Sequence, residues 1–228
     1  MKLLMHHFLP FSFANGPGCR TVFWLQGCPL RCRGCFNPQT HGANQGEWVS
    51  IDDLLCRIAA AASRVQGITI SGGEPLRQRS ALTGLLRRVK RETSLSVVLF
   101  TGYTWAEILD MAVPHQGQET SQADLGQPYA AASTAGNFES RGLPEFLRYV
   151  DVLIAGRYVE SLRIARGLQG SANKTFHFLS GRYLPADFIA VPEAEVIIES
   201  DGSLIQSGIA PPQSKPASEG QRLGDYHE

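Results

Sequence analysis

The sequence predicts an α/β fold, arranged as a partial, open parallel β/α barrel. Three observations carry this. Short β-rich runs alternate with amphipathic helical stripes, the pattern of parallel βαβ units. Too few such units occur in 228 residues to close an eight-fold barrel of ordinary length. Three of the runs lead into loops bearing Cys or Gly, at the strand ends where ligands gather in such folds.

Taken in order, Thr21 to Gln26 is a β-rich run that enters a cysteine loop. Ser50, followed by Ile51 and two Asp, reads as the N-cap of a helix whose apolar stripe is Ile51, Leu54, Leu55, Ile58, Ala59, Ala62 and Val65. Gly67 to Ser71 is a compact strand closed by the pair Gly72 and Gly73. Ala81, Leu82, Leu85, Leu86 and Val89 form a second helical stripe, and Leu95 to Phe100 the next strand. Thr104 and Glu107 stand at capping-box spacing and open a third helix. Val150 to Ile154 and Glu195 to Ile198 complete the strands. One domain is expected over residues 1–210, with a flexible insertion at 114–143, where Gln, Ser, Ala, Thr and Gly show no period. The Pro/Ser/Gln-rich tail 211–228 reads as disordered.

Composition limits the function. With 21 basic and 21 acidic residues, the chain lacks the electrostatic footprint of a nucleic-acid or anionic-membrane binder. The arginines between Arg77 and Arg91 read as the solvated face of a helix. No apolar run approaches membrane-spanning length. Five cysteines, three of them within eight residues, do not make an extracellular disulfide framework, and the histidine-broken start is a poor signal peptide. A cytoplasmic location fits best.

The chemistry-bearing feature is Cys28, Cys32 and Cys35 in GCPLRCRGCF, Gly27 to Phe36. A closed structural zinc site takes four ligands, and a cubane iron–sulfur cluster ordinarily takes four Cys. Three thiolates leave one position open. A zinc site completed by His41 is the alternative, and it leaves the glycine-bearing strand ends without a purpose; a histidine at the surface is the other reading of His41. Cys19 and Cys56 read as small packed hydrophobes. Trp24, Trp48 and Trp105 read as core or loop anchors.

In this order, the cysteine loop and the motif SGGEPL (Ser71 to Leu76) resemble the radical S-adenosylmethionine (SAM) enzymes, and within them the activating enzymes of anaerobic (class III) ribonucleotide reductase. The same resemblance extends over NGPGCR (Asn15 to Arg20), the Asn37-Pro38 exit, TGYT (Thr101 to Thr104), DVLIAGRY (Asp151 to Tyr158), GSANK (Gly170 to Lys174) and the terminal blocks Asp201-Gly202 and Ser207 to Ile209. Departures are Ala155 for the usual Asp, Ala172 and Lys174 for Ser and Gln, and Gly34 where many radical SAM proteins carry an aromatic residue.

The resemblance implies a partial barrel of radical SAM type and a 4Fe-4S cluster on Cys28, Cys32 and Cys35. It implies SAM bound near Gly72, Gly73, Glu74, Thr101, Gly102 and Asn173. It further implies a 5′-deoxyadenosyl radical that installs a glycyl radical on a partner enzyme, the large subunit of anaerobic ribonucleotide reductase, with a flavodoxin-type reductant. Bare backbone at Gly72 and Gly73 would allow close approach of the methionyl end of SAM, and Glu74 would add a carboxylate near its ammonium. A stand-alone radical SAM enzyme acting on a small molecule or peptide, and a metal-binding interaction module without activity, are the competing readings.

Overall fold

A computed structural model describes residues 1–111 and 143–209. All but one residue of the expected insertion and the whole of the expected tail lie outside the described residues. Fifteen regular elements follow in order: β1 (Lys2–Ser12), β2 (Arg20–Leu25), β3 (Glu47–Ser50), α1 (Ile51–Ala61), β4 (Gly67–Gly72), α2 (Arg79–Glu92), β5 (Ser96–Phe100), α3 (Trp105–Asp110), β6 (Val152–Ala155), β7 (Arg163–Arg166), β8 (Gln169–Ser171), β9 (Thr175–Phe178), α4 (Pro185–Ile189), β10 (Ala194–Ile198) and β11 (Leu204–Gly208).

Seven strands form the main sheet in the order β3-β1-β2-β4-β5-β6-β9. Its four central strands run parallel, as α/β alternation requires. Both flanks are antiparallel: β1 pairs with β2 and β3 on one side, β9 with β6 on the other. The expected α/β class with a parallel centre is therefore present, set within a mixed sheet. β10 and β11 form a separate hairpin, as do β7 and β8.

Central strands are apolar on both faces, and their period of two divides the core. Val97, Leu99 and Leu153 join the larger cluster with Leu54 and Ile58 of α1 and Leu82, Leu85 and Leu86 of α2. The alternate residues Val98, Val152 and Ile154 pack on the opposite face with Phe188 of α4. Along α1 the buried stripe is Ile51, Leu54, Leu55, Ile58 and Ala61. Ala59 is exposed, because the stripe continues at Ala61 toward Val65. Ser50 caps this helix as expected, its Oγ accepting from the Asp53 amide at 3.0 Å.

The basic face of α2 is indeed solvated, with Arg87 paired to Glu145 and Arg88 to Asp52 and Glu92. Two polar groups brace the sheet end that lies away from the cysteine loop. Arg20 is fully buried, its guanidinium donating to Thr69 Oγ1 (2.7 Å), Ser96 Oγ (3.0 Å), Tyr183 Oη (3.1 Å) and the Ile68 carbonyl (2.6 Å). Asp151 accepts from Lys90 Nζ (2.5 Å), the Val97 amide (2.7 Å) and Ser180 Oγ (2.8 Å). Burial alone would raise the Asp151 pKa, but these donors together hold it below its ordinary value.

The capping box on α3 is present, and it extends into an ion pair. Glu107 meets the Thr104 amide (2.8 Å) and takes both arms of Arg157 at 2.7 and 2.8 Å. Chiefly through Arg157, its pKa is drawn down from 4.5 to about 2. A depressed carboxylate contributes stability above its unfolded pKa and loses it as pH falls through the folded value. The pair is part-exposed, so solvent screening keeps its worth near roughly 1 kcal/mol. We expect the wild type to exceed Glu107→Gln in urea midpoint at pH 6, with the gap closing between pH 4.5 and 2. A gap constant over that range would show that the pair does not carry the difference.

Candidate functional site

The site is built where the parallel strands end. The β2–β4 register sets Leu25 beside Gly72, so the cysteine loop leaving β2 and the Gly-Gly-Glu turn leaving β4 start as neighbours. Two backbone bonds then lock them: the Gly73 amide donates to the Leu25 carbonyl at 2.7 Å and the Glu74 amide to the Gly27 carbonyl at 2.9 Å. The third turn, Thr101 to Tyr103, follows β5 and is tied to β6 through Thr101 N to Ile154 O (2.9 Å) and Gly156 N to Tyr103 O (2.9 Å).

The loop itself is a closed structure. Its return segment is held by Gly27 N to Thr40 O (2.8 Å) and Cys28 N to His41 O (3.1 Å). Gln26 reaches across it, donating through Nε2 to the carbonyls of Gln39 (3.0 Å) and Gly42 (2.7 Å). Gly34 has φ +68°, and a Cβ there would stand 2.8 Å from the Glu160 carboxylate. The left-handed φ, more than contact with that flexible and exposed side chain, favours glycine before Cys35.

Cys28, Cys32 and Cys35 all line one cavity of about 400 Å³, together with Gly72, Gly73, Glu74, Thr101 and Gly102. Three thiols, none in a disulfide, thus border the same open volume. Among the described residues, no three His, Cys, Asp or Glu side chains converge as they would around a single metal ion. Burial pushes the Cys28 thiol up to about 11 and raises Cys35 as well. Any group bound here must displace those protons, as soft metal centres do on thiol sites. The donor set and the space fit a cluster that Cys28, Cys32 and Cys35 would hold.

Glu74 is fully buried and accepts three hydrogen bonds from its own neighbours. Its Oε1 accepts from the Leu76 amide (2.9 Å) and Thr101 Oγ1 (2.8 Å), and its Oε2 from the Gly102 amide (2.7 Å). Burial raises its pKa, against the pull of these three donors. Glu74 therefore couples the β4 and β5 turns. Gly72 and Gly73 are also used internally: a Cβ on Gly72 would lie 2.4 Å from Leu25 N and O, and one on Gly73 2.4 Å from Gly27 O.

Asn173 is exposed, and its Nδ2 donates to the Arg157 carbonyl at 2.8 Å. Its neighbour Lys174 lines the cavity instead. Cys19 packs in the core as expected, whereas Cys56 is exposed, because it falls on the outer side of the α1 stripe. His41 is half-buried and lines the cavity, with its Nε2 buried and unbonded among the described residues.

Four features of the site were not foreseen. His6 and His7 reach the cavity from β1, joined by Trp24. Only the apolar residues flanking the His pair could have revealed that strand. Asn15, in the Asn-Gly-Pro-Gly turn, donates to Ser207 Oγ at 2.6 Å and so fastens the β10–β11 hairpin against the cavity. Ser12 and the Phe13 amide hold Glu195 of the same hairpin.

Comparison with known proteins agrees with this geometry. A family profile described as "4Fe-4S single cluster domain" matches residues 14–177. The anaerobic ribonucleoside-triphosphate reductase-activating protein of Enterobacteria phage T4 is 29% identical over 170 residues, 72% of this chain and 87% of its own length. The protein of the same name from Vibrio cholerae is 29% identical over 180 residues, 75% of this chain and 96% of its own. The pyruvate formate-lyase-activating enzyme of Clostridium pasteurianum is 32% identical over 103 residues, 43% of each chain. With more than half its length matched, the chain belongs to the 4Fe-4S single cluster domain family, among its radical SAM-type activating enzymes.

Proposed function

We propose that this protein is a glycyl radical activase whose partner is the large subunit of anaerobic ribonucleotide reductase. The observation that carries the reading is the meeting of three free thiols with the Gly-Gly-Glu and Thr-Gly-Tyr turns around one cavity. Two relatives that this chain covers over most of their length are activators of that reductase by name. The parallel strand centre, with all three turns at its carboxyl ends, we take as the partial barrel of radical SAM type.

On this reading Cys28, Cys32 and Cys35 hold a 4Fe-4S cluster, and SAM lies against Gly72, Gly73, Thr101 and Gly102. Bound together with an electron from a flavodoxin-type reductant, cluster and SAM supply methionine and a 5′-deoxyadenosyl radical that takes a hydrogen atom from a partner glycine. The chain's own task is positional. Gln26 and the Thr40 and His41 carbonyls fix the thiols' loop, and Glu74 fixes the two turns that face it. Glu74 acts by holding Thr101 and Gly102 in place. Five unpaired thiols suit a reducing cytoplasm.

The test is anaerobic. The protein is reconstituted with iron and sulfide, reduced and given SAM, and 5′-deoxyadenosine is measured with and without the candidate reductase subunit. We expect 5′-deoxyadenosine release and a glycyl radical doublet on the subunit by electron paramagnetic resonance. Multiple turnovers on a small molecule or peptide without that subunit would move the reading to a stand-alone enzyme. A colourless protein holding zinc and releasing no 5′-deoxyadenosine would end it.

A further inference from the structure

Of all the Lys and Arg side chains among the described residues, only Lys174 lines the cavity. It sits on the turn between β8 and β9, and it is firmly placed there. Its amide donates to the Ser171 carbonyl (3.2 Å), its carbonyl accepts from Gln169 Nε2 (2.9 Å), and its Nζ donates to the Gly156 carbonyl (2.6 Å). Gly156 has φ +115°, and a Cβ there would stand 3.5 Å from Lys174 Cα, so the lysine lies directly against this turn.

A largely buried ammonium is costly unless negative charge faces it. The anionic groups that act on Lys174 are Glu74, Cys32 and Cys35. Glu74 forms no ion pair with it among the described residues, and both of its carboxylate oxygens already accept hydrogen bonds from the Leu76 amide, Thr101 and the Gly102 amide. Those donors are neutral and leave its charge in place, so Glu74 is the foremost counter-charge of Lys174, and Cys32 and Cys35, which line the same cavity, come next. We propose that Lys174 is a tuning residue for the cluster, a fixed cation lining the same cavity as Cys32 and Cys35 that favours the reduced state.

The physics is one of charge. Three thiolates make the assembly anionic, and adding an electron deepens that charge. A nearby cation stabilises the reduced form more than the oxidised one, and net charge and hydrogen bonding to sulfur set such potentials. The inference rests on the functional reading above, but its readout is a potential rather than turnover.

The experiment compares wild type, Lys174→Gln and Lys174→Arg, reconstituted anaerobically and without SAM. The reduced cluster is followed by electron paramagnetic resonance at poised potentials. We expect roughly a tenfold lower ratio of reduced to oxidised cluster in Lys174→Gln at a fixed potential, a downward shift of about 59 mV for one electron. Lys174→Arg should stay near the wild type. Lys174→Met, which keeps the apolar stem, replaces Lys174→Gln if that variant assembles no cluster, and should shift in the same direction. Equal potentials in wild type and the neutral variants would overturn the proposal. So would a difference that arises only after SAM is added, since Lys174 would then be contacting the SAM carboxylate. A wild type with no reducible cluster would bring down the functional reading itself, whereas an insensitive potential in a sound cluster removes only the role of Lys174.

Discussion

Replacing Cys28, Cys32 or Cys35 singly by alanine is expected to abolish SAM cleavage and to strip the protein of most of its iron. The three thiols lie in one short loop whose ends are pinned to each other, so no other cysteine can move in to substitute. Cys19 is packed in the core, and Cys56 is on the outer side of α1. Two ligands cannot retain a cubane against solvent and added chelator, because the cluster's stability on the protein comes from its thiolate bonds. Cys19→Ala and Cys56→Ala should keep iron content and 5′-deoxyadenosine release near the wild type. A maleimide reagent supplies an independent check: in the native protein Cys56 reacts quickly and Cys19 does not. Full activity in Cys32→Ala would remove the ligand assignment, and with it the reason for the open corner.

Much of the fold is legible in the sequence. The stripes of α1 and α2 obeyed helical spacing because each faces a single sheet surface, and Ser50 and Thr104 announced helix starts through chemistry local to a few residues. The central strands were visible as short apolar runs because both of their faces are covered. β1 was not visible, although it is the longest strand among the described residues. Its sequence KLLMHHFLPFS breaks alternation with a histidine pair and a proline, and its register shifts twice against β2. Its place in the sheet comes from long-range pairing with β2 and β3, which no local window contains. With β1 went His6 and His7, so one wall of the cavity was absent from the expectation.

The glycine pair does line the cavity, but the physical reason for glycine there was not legible. Gly72 and Gly73 were expected to leave room for a ligand; the space their Cβ atoms would take is filled by the chain's own backbone. Only the register of β2 against β4 discloses this, since Leu25 and Gly27 are distant in sequence from the pair. Glu74 shows the same limit. A carboxylate after two glycines looks like a ligand contact, yet its partners Thr101 and Gly102 come from a turn 27 and 28 residues away.

Those contacts lead to a graded series of alanine substitutions. Gly72→Ala puts a Cβ 2.4 Å from Leu25 N and O at a residue with φ +110°. It combines overpacking, about 1–3 kcal/mol, with left-handed backbone strain of about 1–2 kcal/mol. A loss of roughly 2–5 kcal/mol is expected, a large fraction of the stability of an ordinary domain. Gly73→Ala meets Gly27 O at 2.4 Å and Thr40 O at 3.1 Å, with no φ penalty, and should lose about 2–3 kcal/mol. Gly102→Ala meets Leu30 Cδ1 at 2.3 Å, the far end of a side chain that can rotate away, and should lose less than either. Gly84→Ala, inside α2 and no closer than 3.4 Å to Ile51 Cδ1, should gain about 0.5–1 kcal/mol from helix propensity. Urea midpoints on the iron-free protein rank the four, and iron content after reconstitution tells whether the loop has been displaced. Because Gly73 is the contact that holds the β4 turn against the cysteine loop, its variant should lose iron out of proportion to its lost stability. If Gly73→Ala instead held iron as well as Gly84→Ala does, the turn and the loop would not be a single rigid unit, and the cavity would owe its shape to something other than this backbone contact.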